Sequence, residues 1–334
     1  MVIISQNPID NVIIGVIATF FLVFVADKVI EKAIKLSNNL GISQIFIGLT
    51  VISIGTSLPE ITTHVVASLD IVRGNIDPFI ASATVLGTNI GSDIVQQNLI
   101  IGIVGLLGVI HVSKSFLRRD FLIMILSAAL LLLFALDKEI SRIEGAVLFF
   151  GYILYLWFLG LGERKKHNVR KKANLERMDK KDIWKDLAYI GIGIVIIVAS
   201  AEYILRIAEF FVERYHIGGS LIGILTIGIA TALPELTTSI TAILRGASSI
   251  SIGTLVGSNI TNPMFALGLG AMISSYEVPR PIIVFDLPVK IITAIIIMWF
   301  LWKNKMLTKK TAIAMITMYV AYILVRMRYF PVDT

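Results

Sequence analysis

The feature that most constrains the fold is a segment that occurs twice in the chain. Residues 48–63 (GLTVISIGTSLPEITT) and 223–238 (GILTIGIATALPELTT) align without gaps, and nine of the sixteen positions are identical. The shared Leu-Pro-Glu triplet places Glu60 and Glu235 inside long apolar stretches, 175 positions apart. A match of this length between distant segments indicates an internal duplication, so we expect two related halves.

The composition is that of a membrane protein. Hydrophobic residues make up 56% of the 334 positions, charged residues only 16%, and the mean hydropathy is +0.84. A helix of about 20 apolar residues crosses the roughly 30 Å of hydrocarbon in a bilayer. Such stretches predict an all-α membrane protein with ten transmembrane helices. Their approximate limits are 9–36, 42–69, 78–110, 118–136, 142–162, 187–213, 219–245, 249–275, 283–302 and 310–328.

The predicted spans form two sets of five around a basic segment. We expect a first five-helix repeat at 1–163, a basic loop at 164–186 and a second five-helix repeat at 187–334. Most of the 30 Lys and Arg residues fall on the side of that loop, so the positive-inside rule predicts a cytoplasmic loop and external termini in the cell membrane. Lys290 belongs to the basic minority at the opposite edge. An odd number of spans per repeat inverts the second repeat relative to the first.

The charge and the reactive residues exclude other classes of protein. Basic residues at membrane edges face anionic lipid, which accounts for the net charge of +7 without a nucleic-acid partner. The chain has no cysteine and no His-Glu-x-x-His motif, and its four histidines are scattered, which argues against an intramembrane enzyme. No protein partner is evident in the sequence, and the lipid bilayer is the expected surrounding.

Each repeated segment is predicted to be a broken helix. Pro59 and Pro234 favour the first turn of a new helix and push the preceding residue out of helical geometry. The carbonyls freed by such a break are tolerated in a membrane only where they face protein or a water-filled cavity. Inverted repeats bring two broken helices together near the bilayer midplane. We therefore expect discontinuous helices 2 and 7 that present Glu60 and Glu235, with carbonyls and hydroxyls, at one depth.

This pair of carboxylates suits a hard cation. Ca2+ prefers about six to eight oxygen ligands, and two glutamates would neutralise its charge. Without a divalent ion the two carboxylates would repel one another and favour the uptake of protons or Na+. A site that takes one class of cation at a time is the physical basis of antiport by alternating access.

Two motifs carry a resemblance to a known family. GTSLPE at 55–60 is followed by GTNIGS at 87–92, and the second half repeats the order with GTLVGS at 253–258. This pattern resembles the two α-repeats of the Ca2+/cation antiporter superfamily, and most of all its Na+/Ca2+ exchanger branch. The resemblance covers nearly the whole chain. It implies ten helices in two inverted repeats, exchange of Ca2+ for Na+, no cofactor, and cation sites between spans 2, 3, 7 and 8.

The resemblance also implies the ligands, with departures from the family pattern. The second-repeat position that is acidic in many exchangers is Asn262, its first-repeat counterpart is Gln96, and Ala232 stands opposite Ser57 without an oxygen to offer. The implied ligands are the carboxylates of Glu60 and Glu235, the hydroxyls of Ser57, Ser92 and Ser258, the carbonyls near Ser53, Thr56, Gly228 and Thr231, and the amides of Gln96 and Asn262.

The sequence leaves several alternatives open. The reduced charge makes H+/Ca2+ or other divalent exchange a second candidate beside Na+/Ca2+ exchange, and a cation channel a third. Ser92 and Ser258 could serve helix packing instead of binding, and Asp93 could line the site or coordinate directly. The third span also allows two frames. One pairs Ser92 with Ser258, and the other is displaced by four residues.

Overall fold

The long elements of the protein are α-helices. The computed structural model describes residues 8–171, 180–214 and 231–330. Several helices contain a π-helical turn and continue through it. In the described ranges the helices are α1 (Pro8–Leu40), α2 (Gln44–Thr56), α3 (Leu58–Arg73), α4 (Pro78–Leu107), α5 (Lys114–Asp137), α6 (Arg142–Lys171), α7 (Lys180–Arg214), α8 (Leu233–Leu244), α9 (248–273), α10 (Ile282–Asn304) and α11 (Lys309–Tyr329).

The apolar helices confirm a membrane protein. Among the described residues, seven helices are long and apolar enough to cross a bilayer, and α2 with α3 forms an eighth span bent by 45°. These eight correspond to predicted spans 1 to 6, 9 and 10. Predicted spans 7 and 8 coincide with α8 and α9, and residues 219–230 of the seventh lie outside the described residues.

The helix break predicted at the repeated triplet is present in the first half. Ser57 separates α2 from α3 with φ −80° and ψ 6°, and Pro59 occupies the first turn of α3. In the second half, Ala232 precedes α8 with φ −89° and ψ 5°, and Pro234 occupies the matching position. The same backbone conformation before each proline is what a duplicated segment requires, because proline cannot donate to the preceding turn.

Two short strand pairs join the halves. The strands are β1 (Ile110–His111), β2 (Glu139–Ile140), β3 (Tyr276–Glu277) and β4 (Met306–Leu307). β1 pairs antiparallel with β4, and β2 pairs antiparallel with β3. β1 and β3 follow corresponding helices of the two halves, as do β2 and β4, so the two pairs occupy equivalent places in the order of elements.

Matched polar clusters also recur in both halves. The Tyr155 hydroxyl donates a hydrogen bond of 3.1 Å to Asp120, and the Tyr322 hydroxyl donates one of 2.9 Å to Asp286. Each aspartate lies in a π-helical turn near the start of its helix, in α5 and α10 respectively. Each cluster therefore ties a helix to the next one along the chain, α5 to α6 and α10 to α11.

Glycines allow α2 and α9 to cross in backbone contact. A Cβ atom added to Gly48 would stand 2.6 Å from the carbonyl oxygen of Ile250, and one added to Gly253 would stand 2.8 Å from that of Ile45. One added to Gly257 would stand 2.7 Å from the Ser53 hydroxyl. Small residues permit such close approach between helices in membranes. The glycines of the GTLVGS motif therefore hold α9 against the broken helix.

The helices extend further into the predicted basic loop than expected. α6 runs to Lys171 and α7 begins at Lys180, so the parts of 164–186 that the structure describes are helical. The apolar pattern ends near residue 162, but the helix continues because its backbone hydrogen bonds are made within the helix itself and need no apolar side chains. The hydropathy limit thus marked the end of the apolar stretch and not the end of the helix.

Candidate functional site

The two predicted glutamates are buried and make equivalent contacts. Glu60 is 3% exposed and Glu235 is fully buried. The Ser92 hydroxyl donates to Glu60 Oε1 at 3.2 Å, and the Ser258 hydroxyl approaches Glu235 Oε1 at 3.5 Å. Each glutamate is therefore held in the first turn of its helix, α3 or α8, beside a serine of the next span. These contacts favour the frame that pairs Ser92 with Ser258.

The two carboxyl groups interact with one another. Glu235 interacts electrostatically with Glu60 and Asp93, and the side chain of Thr56 contacts the Glu235 carboxyl. The Oε2 atom of each glutamate is buried and has no hydrogen-bond partner among the described residues. Carboxylate oxygens without donors, buried in matched positions, leave acceptor capacity that a cation would satisfy.

The other predicted ligands near the two prolines differ in whether their oxygens already have hydrogen-bond partners. The Ser57 hydroxyl is buried and has no partner in the described part of the chain, so it is available. The Ser53 carbonyl accepts from the Ser57 amide at 3.0 Å and from the Thr56 hydroxyl at 3.3 Å, so it already has partners within the helix, and coordination of a cation by it stays a prediction. Thr231 lines the same cavity as Glu60. Gly228 lies outside the described residues.

The two amides of the predicted set are buried and hydrogen-bonded. Gln96 donates from Nε2 to the Ser92 hydroxyl at 3.1 Å, and its Oε1 accepts from Asn259 at 3.3 Å. A chain of hydrogen bonds therefore runs from α9 through Gln96 and Ser92 to Glu60. Asn262 donates from Nδ2 to Asp93 Oδ1 at 2.8 Å, whereas its Oδ1 has no partner among the described residues.

A small cavity adjoins Glu60. Its volume is about 20 Å³, which holds a single particle of the size of a water molecule. No group of three or more His, Asp or Glu side chains in the described ranges is arranged to hold a metal ion. A cation here would depend on two carboxylates together with hydroxyl, amide and carbonyl oxygens, as hard cations accept. The described residues that line the cavity are Pro59, Glu60, Thr63, His64, Val85, Thr88, Asn89 and Thr231.

A buried ion pair stands next to Asn262, and sequence reasoning missed it. Lys290 is 1% exposed and its ammonium donates to Asp93 Oδ2 in a short contact, while Asn262 holds the other oxygen of Asp93. The placement of Lys290 at the membrane edge is therefore wrong, because the side chain points into the protein. The only sequence signal was a lysine next to the apolar run 291–302, which topology reasoning uses as a boundary.

His64 belongs to a second buried polar group. Its Nε2 lies 2.9 Å from the Asn89 amide nitrogen, and its Nδ1 lies 3.1 Å from the Tyr276 hydroxyl. Ser68 joins the same hydroxyl at 2.6 Å and donates to the carbonyl of Gly270 at 2.9 Å. These contacts tie α3 to α4 and α9, so the structure gives His64 a packing role beside the cavity.

The family follows from comparison of this chain with known proteins. The sequence profile of the family described as "Sodium/calcium exchanger protein" matches residues 11–161 and 185–328. The chain belongs to this family. Both matched parts contain one copy of the Leu-Pro-Glu triplet with its glutamate, so the family assignment and the geometry concern the same residues.

Individual relatives agree with the assignment. The sodium/calcium exchanger MaX1 of Methanosarcina acetivorans is 28% identical over 352 aligned positions, which cover 94% of this chain and 98% of the relative. The inner membrane protein YrbG of Escherichia coli is 29% identical over 295 positions, covering 86% and 88% of the two chains.

A solved exchanger structure shares the fold. The sodium-calcium exchanger NCX_Mj, soaked with 10 mM Na+ and zero Ca2+, superposes with a TM-score of 0.79 at 23% identity, covering 95% of this chain and 99% of the other. The same exchanger soaked with neither ion gives 0.76. The chain thus has the fold of a membrane exchanger.

Proposed function

We propose that this protein is a secondary-active antiporter that exchanges Ca2+ for Na+ by alternating access. The observation that carries the proposal is the pair Glu60 and Glu235, buried in the first turns of α3 and α8 with one carboxylate oxygen of each lacking a partner among the described residues. The names of the family and of the relative MaX1 support the same pair of ions. The ions are substrates of the site, and the proposal needs no resident cofactor.

The proposed ligands surround both glutamates. Ser57, Ser92 and Ser258 would add hydroxyl oxygens, and the Oδ1 atom of Asn262 a neutral amide oxygen. The carboxylate oxygens of the two glutamates, with these hydroxyl and amide oxygens, are the donors that Ca2+ accepts in adaptable geometry. In the absence of Ca2+ the two carboxylates repel one another, which favours occupation of the site by Na+. Because either occupant satisfies the same oxygens, binding of one ion excludes the other, and exchange follows.

We further infer ten spans in two inverted repeats, with the division 1–163, 164–186 and 187–334. Residues that the count places on one side do meet. Ser43 donates to Glu163 at 2.9 Å after four intervening spans, and β1 pairs with β4 after six. Even numbers of crossings agree with the count, and the equivalent places of the two strand pairs in the order of elements agree with two related halves. The basic loop would face the cytoplasm and the termini the outside.

Two other functions are alternatives that the transport experiment distinguishes. Proton-coupled exchange of Ca2+ or another divalent ion would use the same carboxylates, since a buried carboxyl group takes up a proton readily. A cation channel would also use carboxylates and carbonyls, but channels usually gather them around one axis. The pairing of Glu60 with Glu235 across two related halves supports a carrier instead.

The experiment uses proteoliposomes and 45Ca2+ uptake. Vesicles loaded with Na+ are diluted into Na+-free medium, in parallel with vesicles that contain choline at equal pH and with vesicles that contain choline at acid pH. We expect uptake that depends on internal Na+. Glu60→Gln or Glu235→Gln should abolish uptake, because two unit charges 4 Å apart interact by about 4 kcal/mol at an effective dielectric constant of about 20, and the double charge of Ca2+ doubles this energy. Even half of that energy corresponds to several hundredfold in affinity, at about tenfold per 1.4 kcal/mol.

Glu163→Gln is the matched control. Glu163 is also 3% exposed and hydrogen-bonded to Ser43, so the same substitution there removes a buried carboxylate away from the site. Loss of uptake in this variant alone, with uptake retained in Glu60→Gln, would overturn the assignment of the site. Uptake driven by acid-loaded vesicles without Na+ would establish proton coupling, and uptake without any opposing gradient would establish a channel.

A further inference from the structure

The buried ion pair of Asp93 and Lys290 has no role in the proposed exchange cycle as described above. Asp93 lies on α4, one residue beyond Ser92, and Lys290 reaches it from α10. Both side chains are shielded from solvent, with exposures of 0% and 1%. Asn262 on α9 joins them through the other oxygen of Asp93 at 2.8 Å. The pair thus adjoins Asn262, one of the proposed ligands, and Asp93 interacts electrostatically with both glutamates.

The three acidic side chains of this region differ in what neutralises them. Glu60 and Glu235 each keep one carboxylate oxygen without a partner among the described residues. Asp93 has both oxygens engaged, one by an amide and one by the ammonium group. The glutamates therefore need a mobile cation, whereas Asp93 already has a cation that is covalently attached to the protein.

The pair also breaks the symmetry of the two halves. Ser92 corresponds to Ser258 by their equivalent contacts, so the counterpart of Asp93 is Asn259. Asp120 and Asp286 occupy equivalent clusters, so the counterpart of Lys290, four residues later, is Met124. Both counterparts are uncharged. The acid and the base are thus present together on one side of the site and absent together on the other.

We propose that the Lys290 ammonium occupies a seat for a monovalent cation at Asp93, and so acts as a tethered ion. An ammonium group and an alkali-metal ion carry the same charge, and both bind carboxylate and carbonyl oxygens. With the seat filled from within, the carboxylate of Asp93 recruits no ion from solution. The consequence for transport rests on the proposed Na+/Ca2+ exchange. In that cycle, Lys290 sets how many Na+ ions bind.

Removal of the tether should expose the seat. Lys290→Met leaves the Asp93 carboxylate buried without its partner, which is strongly destabilising unless another cation enters. The double variant Asp93→Asn with Lys290→Met removes both charges and provides the matched control. A cation that binds only the folded state stabilises it in proportion to the logarithm of its concentration.

The test measures thermal unfolding of purified protein in detergent, with choline chloride replaced by KCl or NaCl at constant ionic strength. Ca2+ is present at a concentration that no longer raises the melting temperature, so that the glutamate site is filled. We expect the single variant to gain several degrees in the alkali salts, about 5 °C at a hundredfold excess of salt over its dissociation constant. Wild type and the double variant should show no such gain.

The other possible results of the melting experiment also decide for or against the proposal. A single variant that folds in choline and does not respond to K+ or Na+ would overturn the proposal. A single variant that fails to fold in every one of the salts, while the double variant folds, would also overturn it. Failure of the double variant to fold would also overturn it, because the neutral pair should lack only the charges. A single variant that folds in alkali salts alone would support the seat.

A transport measurement separates this inference from the proposed function. In proteoliposomes, the Na+ dependence of 45Ca2+ uptake should become steeper for Lys290→Met, with a Hill coefficient raised by about one, and should return to the wild-type value in the double variant. An unchanged coefficient in a variant that binds K+ in the melting assay would refute the effect on ion number. Absence of Na+-driven uptake in wild type would refute the exchange proposal and leave the melting result standing.

Discussion

A methyl group at Gly253 tests whether the crossing of α2 and α9 sets the geometry of the site. In Gly253→Ala the new Cβ would stand 2.8 Å from the carbonyl oxygen of Ile45 and 3.2 Å from the Gly48 Cα and the Leu49 nitrogen. All three are backbone atoms, so no side chain can turn away. Ordinary contact begins at 3.4 Å, so the helices must separate by about 0.6 Å.

The magnitude follows from packing. A radial gap of about 0.5–1 Å removes a quarter to a half of the dispersion energy of each contact, and overpacked sites typically lose about 1–3 kcal/mol. Alanine also gains about 1 kcal/mol over glycine in a helix, which obscures the clash. Gly191→Ala is the matched control, because it gains the same propensity at an exposed position in α7 where no described atom lies within 4 Å of the new Cβ.

Melting followed by tryptophan fluorescence at one scan rate compares the two variants. The clash alone should place Gly253→Ala about 2–6 °C below Gly191→Ala, at about 2 °C per kcal/mol for a chain of this size. Because α9 carries Ser258, the same variant should also take up 45Ca2+ more weakly in proteoliposomes. Equal melting temperatures for the two variants would refute the backbone contact on which this reasoning depends.

Two further variants test individual hydrogen bonds. Ser92→Ala removes the donor 3.2 Å from Glu60 and should raise the Ca2+ concentration for half-maximal uptake by about tenfold or more, since a hydrogen bond to a charged group is worth about 1.5–3 kcal/mol. Ser127→Ala is the control, and an unchanged Ca2+ dependence in Ser92→Ala would contradict the prediction. Tyr276→Phe strands the partners of a buried hydroxyl and should lower the melting temperature by a few degrees, at about 1–3 kcal/mol, whereas Tyr329→Phe, exposed at 71%, should not.

Local sequence signals predicted the parts of the site that depend on neighbours along the chain. The bend at Ser57 follows from Pro59, which cannot complete the preceding helical turn, and the matched conformation at Ala232 follows from Pro234. The repeat likewise identified Glu60 with its partner in the second half. The hydrogen bond that the Ser53 carbonyl accepts was not foreseen, because the turn before the break still makes its helical hydrogen bonds.

Contacts between distant segments were beyond such signals. The Asp93–Lys290 pair joins residues on α4 and α10 that have no repeat counterpart of like charge, and the reading of Lys290 as an edge residue was wrong. The cluster of His64 with Tyr276 has the same origin, because a helix period shows which face a side chain occupies but not which helix will cover it. The orientation of the termini and of the basic loop stays a prediction.

The amino-acid order by itself determined the membrane class, the duplication and the helix break, because apolar length, self-similarity and proline chemistry act over short stretches of chain. Tertiary structure decided which buried charges meet and how closely the helices cross. Burial makes an unpaired charge costly, yet several partners within the bilayer could satisfy it, and only the packing of α4, α9 and α10 selects Lys290 for Asp93.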